Sequence, residues 1–126
     1  MTRPKVKISC SSNVYIEQLV FEKKGDCNIG HEHTFDHQTL LASGALEADV
    51  NGKISFFRAP HIIFIKAGVS HKFTALEDNT VAYCVHALRK GDAIDDIIDP
   101  ADVPQGVDLT RTQVHEKSDR LAKARA

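Results

Sequence analysis

Turn-forming residues recur at short intervals between residues 13 and 88, and no amphipathic helix lies between them. The strongest signal is Asn51-Gly52, because both residues tolerate the positive φ angles of a two-residue hairpin turn. Further turn signals are Gly44, the run from Arg58 to Pro60, Gly68 and Asp78-Asn79. Turns this close together predict about seven or eight short β-strands, an arrangement typical of a sandwich or a barrel.

The apolar segments between the turns define the expected strands. The predicted strands are residues 14–21, 27–33, 38–50, 53–57, 61–65, 71–76 and 80–88. Gly44 interrupts the run from 38 to 50, which is therefore interpreted as one strand with a bend or a bulge. The phenylalanines in and beside these segments are expected to serve in packing; they are Phe35, Phe56, Phe57, Phe64 and Phe73.

The character of the sequence changes after Leu88. Residues 92–99 predict a short helix capped by Asp92, with isoleucines able to pack on the barrel. Residues 110–126 are polar and predict a frayed helix or a disordered tail. We therefore expect one all-β domain, a sandwich or a barrel, with a short closing helix over residues 1–99, followed by a polar tail over residues 100–126.

Composition excludes several classes of partner. The formal net charge is −1, which gives no reason to expect binding to nucleic acid or to an anionic membrane. No apolar run reaches the length of a membrane span, and the N-terminus has no signal-peptide core, so a cytoplasmic protein is expected. The three cysteines, Cys10, Cys27 and Cys84, form no metal-binding or redox spacing and are expected to be free thiols.

Three of the seven histidines fall within the segment Gly30 to His37. Alternate residues of a strand share a face, so the side chains of His31 and His33 are expected to lie roughly 6.5 to 7 Å apart on the face that also carries Cys27 and Ile29. A hairpin turn before His37 would bring that ring alongside on the neighbouring strand. Any one of these residues taken alone is more simply a solvated or hydrogen-bonded histidine. Clustered imidazoles that protonate near the same pH repel one another unless a shared ligand keeps them neutral, so the cluster predicts a metal ion.

These residues resemble the first motif of the cupin superfamily, in which a Gly is followed after five residues by His-x-His, then after three or four residues by Glu, and after six by Gly. Here Gly25, His31-x-His33, His37 and Gly44 keep every spacing, and a histidine replaces the usual Glu.

The second cupin motif is matched less completely. It runs Gly, five residues, Pro-x-Gly, two residues, His, three residues, Asn. Gly68 and His71 stand at their expected positions, whereas Pro60, Lys66 and Ala75 occupy the other three. The resemblance covers roughly residues 25 to 88.

The resemblance implies a cupin-type double-stranded β-helix, or jelly-roll barrel, with a metal ion inside. It implies His31, His33, His37 and His71 as ligands, a pattern similar to that of small single-domain cupins that bind manganese, iron or copper. On ligand chemistry alone imidazole suits iron, nickel, copper and zinc, so the ion stays open among Fe, Mn, Cu, Ni and Zn. By analogy with the family, a homodimer formed through an edge strand is also expected.

Two functions remain open at this point. The first is a metal-dependent enzyme acting on a small organic molecule, with a dioxygenase-like reaction favoured over an isomerase or a lyase. The second is a non-catalytic module that holds a metal or a small ligand. The fold alone does not distinguish the two functions, because one fold supports many activities. His86 shares a face with Cys84 on the last strand. One interpretation is that it points into the cavity and shuttles protons or contacts substrate. The other is that it is an ordinary surface or core histidine.

Overall fold

The computed structural model describes residues 2–11, 14–30 and 36–87, and these residues form β-strands with no helix among them. The strands are β1 (Lys5–Ser11), β2 (Val14–Phe21), β3 (Cys27–Ile29), β4 (His37–Ser43), β5 (Ala45–Val50), β6 (Lys53–Arg58), β7 (His61–Ile65), β8 (His71–Ala75) and β9 (Thr80–Ala87). The helix predicted over 92–99, the polar tail and the boundary at residue 99 lie outside the described residues. Among the described residues, no helical segment has the length and hydropathy for a membrane crossing.

The strands build two antiparallel sheets that face each other. One sheet has five strands in the order β1-β2-β9-β4-β7, and the other has four in the order β3-β8-β5-β6. The chain passes from one sheet to the other at each connection from β2 to β5 and at each connection from β6 to β9. This crossing pattern is a jelly roll, so the all-β class expected from the turn spacing and the jelly-roll barrel implied by the resemblance are both confirmed.

A compact apolar core fills the space between the sheets. Strand alternation places Leu19 and Phe21 of β2 and Leu41 of β4 against Leu46 of β5 and Phe73 of β8, all at most 1 % exposed. Burial of side chains of this size contributes about 1.5–3 kcal/mol each. The core occupies one end of the barrel, and the polar residues of the site lie toward the other end of the same strands.

The segment before residue 13 was not predicted as a strand, yet β1 pairs with β2 along its whole length, from Lys5 opposite Val20 to Ser11 opposite Val14. Its alternation of Val6, Ile8 and Cys10 with polar residues carries the period of a strand, so the signal was present in the sequence.

Gly44 is a corner between the sheets, so the prediction of one strand from 38 to 50 is wrong. β4 pairs with β7 and β9, whereas β5 pairs with β6 and β8. Gly44 has a φ of +80°, and a Cβ on it would lie 2.8 Å from the Cα of Thr80. Thr80 is completely buried, and its hydroxyl donates to the carbonyl of Glu77 at 2.9 Å. Both the left-handed backbone and the close approach require glycine at this corner.

The hairpin predicted at Asn51-Gly52 joins β5 to β6, with φ of +50° and +85° at the two turn residues. Asn51 has a second role that the turn signal did not reveal. Its side-chain Oδ1 accepts the N–H of Ser70 at 2.9 Å, and its own N–H donates to the Ser70 carbonyl at 2.9 Å. The turn is therefore tied to the residue immediately before β8.

Candidate functional site

Two of the predicted ligands meet across the gap between the sheets. His37 begins β4 in the five-stranded sheet, and His71 begins β8 in the four-stranded sheet. Their ring centroids lie 5.1 Å apart at an interplanar angle of 53°. The side chains are buried, at 6 % and 4 % exposure, and the Nδ1 atoms of both rings are completely buried. Two imidazoles this close are suited to share one transition-metal ion, whose bonds to nitrogen are about 2.0–2.1 Å for zinc.

Gly30 lies directly against the His71 ring. A Cβ on Gly30 would be 2.5 Å from Nε2 of His71 and 2.7 Å from both Cδ2 and Cε1. Its φ is outside the left-handed region, so the close approach alone requires glycine here. Sequence reasoning missed this residue, because a glycine before His31 gives no sign of the ring that it will contact.

The described chain therefore brackets the first histidine motif on both sides. Gly30 precedes His31 and touches His71, while His37 follows the segment 31–35 and stands beside the same ring. His31, His33 and Phe35 themselves lie outside the described residues. Among residues 2–11, 14–30 and 36–87, no group of three or more His, Cys, Asp or Glu side chains is placed to hold a metal ion. The described donors therefore supply two imidazoles of the four expected.

In the part of the chain that the structure describes, the predicted hairpin between the first-motif strand and the strand of His37 is not found. β3 pairs with β8, whereas β4 pairs with β7 and β9 in the other sheet. Cys27 and Ile29 lie on one face of β3, as expected, because they pair with Thr74 and Lys72, which share a face of β8. Their exposure nevertheless differs, at 4 % for Cys27 and 73 % for Ile29. β3 is only three residues long, so its alternation is not a guide to the histidines that follow.

Two hydrogen bonds fix the loop between β7 and β8, which carries the chain to His71. The amide of Ala67 donates to Oδ1 of Asp36 at 2.6 Å, and Asn51 holds Ser70 as described above. Asp36 is exposed, and its carboxylate connects the residue before His37 to the loop before His71. This connection between the strands of His37 and His71 was not visible from sequence spacing.

His86 is buried at 8 % exposure and lies on β9 directly opposite Tyr15 of β2. One layer deeper along the same strands, Glu17 of β2 lies opposite Cys84 of β9, and the hydroxyl of Tyr15 donates to Oε2 of Glu17 at 3.1 Å. Thr39 of β4 lies on the other side of Cys84. These residues form a polar layer between the histidines and the apolar core.

The Cys84 thiol is inert at neutral pH. Burial is the main cause that raises the pKa of Cys84 to about 12; the nearby Glu17 carboxylate contributes in the same direction, and the Thr39 hydroxyl has a smaller opposite effect. The Oγ1 of Thr39 and the Sγ of Cys84 are 3.5 Å apart. Cys84 and the buried Cys27 are both free, as the cysteine spacing predicted.

A cavity of about 440 Å³ opens beside His37 and His86. Its remaining described lining consists of Asp36, Gln38, Phe64, Val85 and Ala87. Gln38 pairs with both Phe64 and Val85, and these three side chains lie on the outer side of the sheet, opposite to the buried neighbours His37 and His86. The cavity is therefore a recess at the rim and outer face of the five-stranded sheet, and only its histidine edge reaches the interior.

The phenylalanines divide into two groups. Phe73 is completely buried, and Phe57 packs on the core and lies 4.9 Å from the exposed ring of His61. Phe56 and Phe64 are 67 % and 60 % exposed, so the expectation that they serve in core packing is wrong.

No protein-family model and no curated protein matches the chain. The fold is nevertheless shared with solved structures. An uncharacterized conserved protein with a double-stranded β-helix domain from Klebsiella pneumoniae is 18 % identical, with a TM-score of 0.61 over 71 % of this chain and 81 % of that one.

Two further structures agree. KdgF from Halomonas sp. is 19 % identical, with a TM-score of 0.59 over 69 % of this chain and 80 % of its own. An RmlC-like cupin family protein from Methanocaldococcus jannaschii is 12 % identical, with a TM-score of 0.60 over 70 % and 83 %. At identities of 12–19 %, the similarity to these structures shows a shared fold. The chain has the cupin-type double-stranded β-helix fold.

Proposed function

We propose that the chain binds one divalent transition-metal ion through His31, His33, His37 and His71, and that it is a metal-dependent enzyme acting on a small organic molecule. The observation that carries the proposal is the buried His37–His71 pair, with ring centroids 5.1 Å apart and Gly30 pressed against one of the rings. Imidazole donors favour Fe, Ni, Cu or Zn, and the resemblance to small single-domain cupins keeps Mn in the set.

The position of Gly30 supports the participation of His31 and His33. The chain enters the segment 31–35 at His71 and leaves it at His37, so both ends of that segment are at the pair. Because Ile29 faces solvent, the proposal requires the strand alternation of β3 to change after Gly30 so that the two imidazoles turn inward.

The bound ion would supply a Lewis acid and a template for orienting a small molecule. His86 is the group of this chain proposed to transfer a proton or to contact the substrate. It is buried, and it lines the same recess as His37. Among metal-dependent reactions we favour a dioxygenase-like oxidation, which needs adjacent open coordination positions on the ion.

Elemental analysis of the purified full-length chain tests the metal site. We expect about one transition-metal ion per chain, reduced to background in His37→Ala and in His71→Ala. His61→Ala is the matched control. His61 begins β7, and it is Ile65 at the other end of that strand that lies opposite His37, so His61 is away from the pair. Retention of the ion by both site variants would contradict the proposed ligands.

Oxygen uptake by the metal-loaded protein, screened over small organic acids, alcohols and thiols, tests the reaction class. Uptake with at least one compound, lost in His71→Ala, would support the enzyme. A fully loaded protein that consumes no oxygen with any compound would instead favour a non-catalytic metal-binding or ligand-binding module.

A further inference from the structure

One carboxylate of the five-stranded sheet points into the barrel. Tyr15 and Leu19 on either side of Glu17 in β2 are 3 % and 0 % exposed, so strand alternation places the half-buried Glu17 on the same inner face. Within the described strands of this sheet, the register places no other Asp or Glu, and no Lys or Arg, on the inner face. A carboxylate loses hydration when it leaves water, so this position is uncommon for a residue that serves only in packing.

The surroundings of Glu17 transmit its charge. Ile8 of β1 lies opposite Glu17 on one side, and Cys84 of β9 lies opposite it on the other. The hydroxyl of Tyr15 donates to Oε2 of Glu17 at 3.1 Å and orients the carboxylate. The charge of Glu17 contributes to the raised pKa of Cys84, which shows that water does not fully screen it at this level of the barrel.

Glu17 lies within electrostatic range of the histidine pair. It is one row closer to the core than His37, because Cys84 lies opposite both Glu17 and Thr39. β9 separates the strands of Glu17 and His37, and two strand spacings of about 4.8 Å place the backbones roughly 10 Å apart. At that separation, with an effective dielectric constant of about 20, attraction between unit charges changes a binding constant by roughly tenfold or more.

Glu17 does not act as a third ligand beside His37 and His71. Among the residues that the structure describes, no group of three or more His, Cys, Asp or Glu side chains is placed to hold a metal ion. An effect of Glu17 on a bound ion therefore acts across space. Such an effect is proportional to the charge of the ion, which distinguishes it from a contribution to packing.

We propose that Glu17 is the counter-charge of the metal site, and that its carboxylate raises the affinity of the barrel for a divalent ion without bonding to it. This role depends on the proposed function, because an ion must be bound at His37 and His71. Imidazole ligands carry no charge, and His37 stands where the first cupin motif has a carboxylate. The negative charge that the motif lacks comes from β2 instead and offsets part of the charge of the ion inside the barrel.

Titration of the metal-free protein with Zn²⁺, and separately with Ag⁺, tests the counter-charge by competition with a chelator. Glu17→Gln keeps the size of the side chain and removes its charge. We expect Zn²⁺ affinity to fall by about tenfold or more, and Ag⁺ affinity by about the square root of that factor, because the ion has half the charge. Glu47→Gln is the matched control: Glu47 is also half-buried, but it lies on the outer face of β5, and both affinities should change by less than about twofold.

Tyr15→Phe separates the charge of Glu17 from its hydrogen bond. This variant keeps the carboxylate, so Zn²⁺ affinity should fall by less than about threefold. Unchanged Zn²⁺ affinity in Glu17→Gln overturns the counter-charge, and so does an equal loss for Zn²⁺ and Ag⁺, which a displaced backbone would produce. If His37→Ala and His71→Ala lose the ion while Glu17→Gln binds it fully, only the counter-charge fails; a wild-type protein that binds neither ion overturns the proposed function as well.

Discussion

At the scale of single residues, the site depends on contacts that no motif records. His37 and His71 were recognisable from their type and spacing, because imidazole is a metal donor and the cupin pattern gives its positions. Gly30 and Asn51 were not recognised as site residues, since their importance lies in what they touch after folding. Gly30 makes room for the His71 ring, and Asn51 holds the residue before it.

Gly30→Ala is expected to lower metal affinity at least tenfold while the chain stays folded. The added methyl group would lie 2.5 Å from Nε2 of His71, so the ring must turn away from its present position. Competition with a chromophoric chelator measures the affinity. Ile29→Ala, at the exposed neighbouring position, is the control and should leave affinity unchanged; an unaltered affinity in Gly30→Ala would show that the His71 ring position is not critical.

Glu17→Gln is expected to lower the pKa of Cys84 from its value of about 12. Removing the negative charge leaves burial as the main cause of the upward shift and makes the thiolate less unfavourable. The pH dependence of iodoacetamide alkylation, followed by mass spectrometry of the Cys84 peptide, measures this pKa. Glu47→Gln, on the outer face of the other sheet, should leave the alkylation profile as in the wild type. A profile unchanged by Glu17→Gln would mean that its charge does not reach the thiol.

At the scale of strands, the turns were predictable and the sheet assignments were not. Asn51-Gly52, Gly68 and Asp78-Asn79 were identified because positive φ and turn chemistry are local properties. The pairing of the first-motif strand with β4 was mispredicted, since local spacing does not reveal which sheet a strand enters. The alternating pattern of β1 is present in the sequence, but it is a weaker strand signal than the apolar segments after residue 13.

Gly44→Ala is expected to destabilise the fold by about 2–4 kcal/mol, more than twice the effect of Gly52→Ala. Both glycines have positive φ, which costs an L-residue about 1–2 kcal/mol. At Gly44 the methyl group also collides with the buried Thr80, whereas at Gly52 nothing lies within 4 Å. Urea unfolding of the two variants provides the comparison; equal losses would show that the corner accommodates a side chain.

Asp26→Asn is expected to lower the thermal midpoint at pH 7 but not at pH 2. The Thr2 hydroxyl donates to the Asp26 carboxylate and is the main cause that holds the pKa of this carboxyl below its usual value, with the Lys23 amide adding to the effect. A carboxyl whose pKa is lowered by folding stabilises the protein above its unfolded pKa, about 3.9, and loses that contribution as the pH falls through the folded pKa. Thermal melts between pH 2 and 7 measure the difference, and a difference independent of pH would contradict this role.

At the scale of the whole molecule, the two faces of the five-stranded sheet carry different kinds of side chain. The inner face changes along the strands from apolar core, through the polar layer of Glu17, Cys84 and Thr39, to the histidines. The outer face carries no charged side chain on β2, β9, β4 or β7. The barrel fold was predictable from turn spacing and motif resemblance, whereas the uncharged outer face emerged only when the register placed alternate residues of four strands together.

Anomalous X-ray diffraction from crystals of the purified chain, recorded on both sides of the absorption edge of the metal found by elemental analysis, tests the central claim most directly. We expect one anomalous peak per chain within bonding distance of an imidazole nitrogen of both His37 and His71, with the rings of His31 and His33 completing the contacts. A metal peak located elsewhere on the protein, or a structure in which the His37 and His71 rings hold no ion at full metal saturation, would contradict the account.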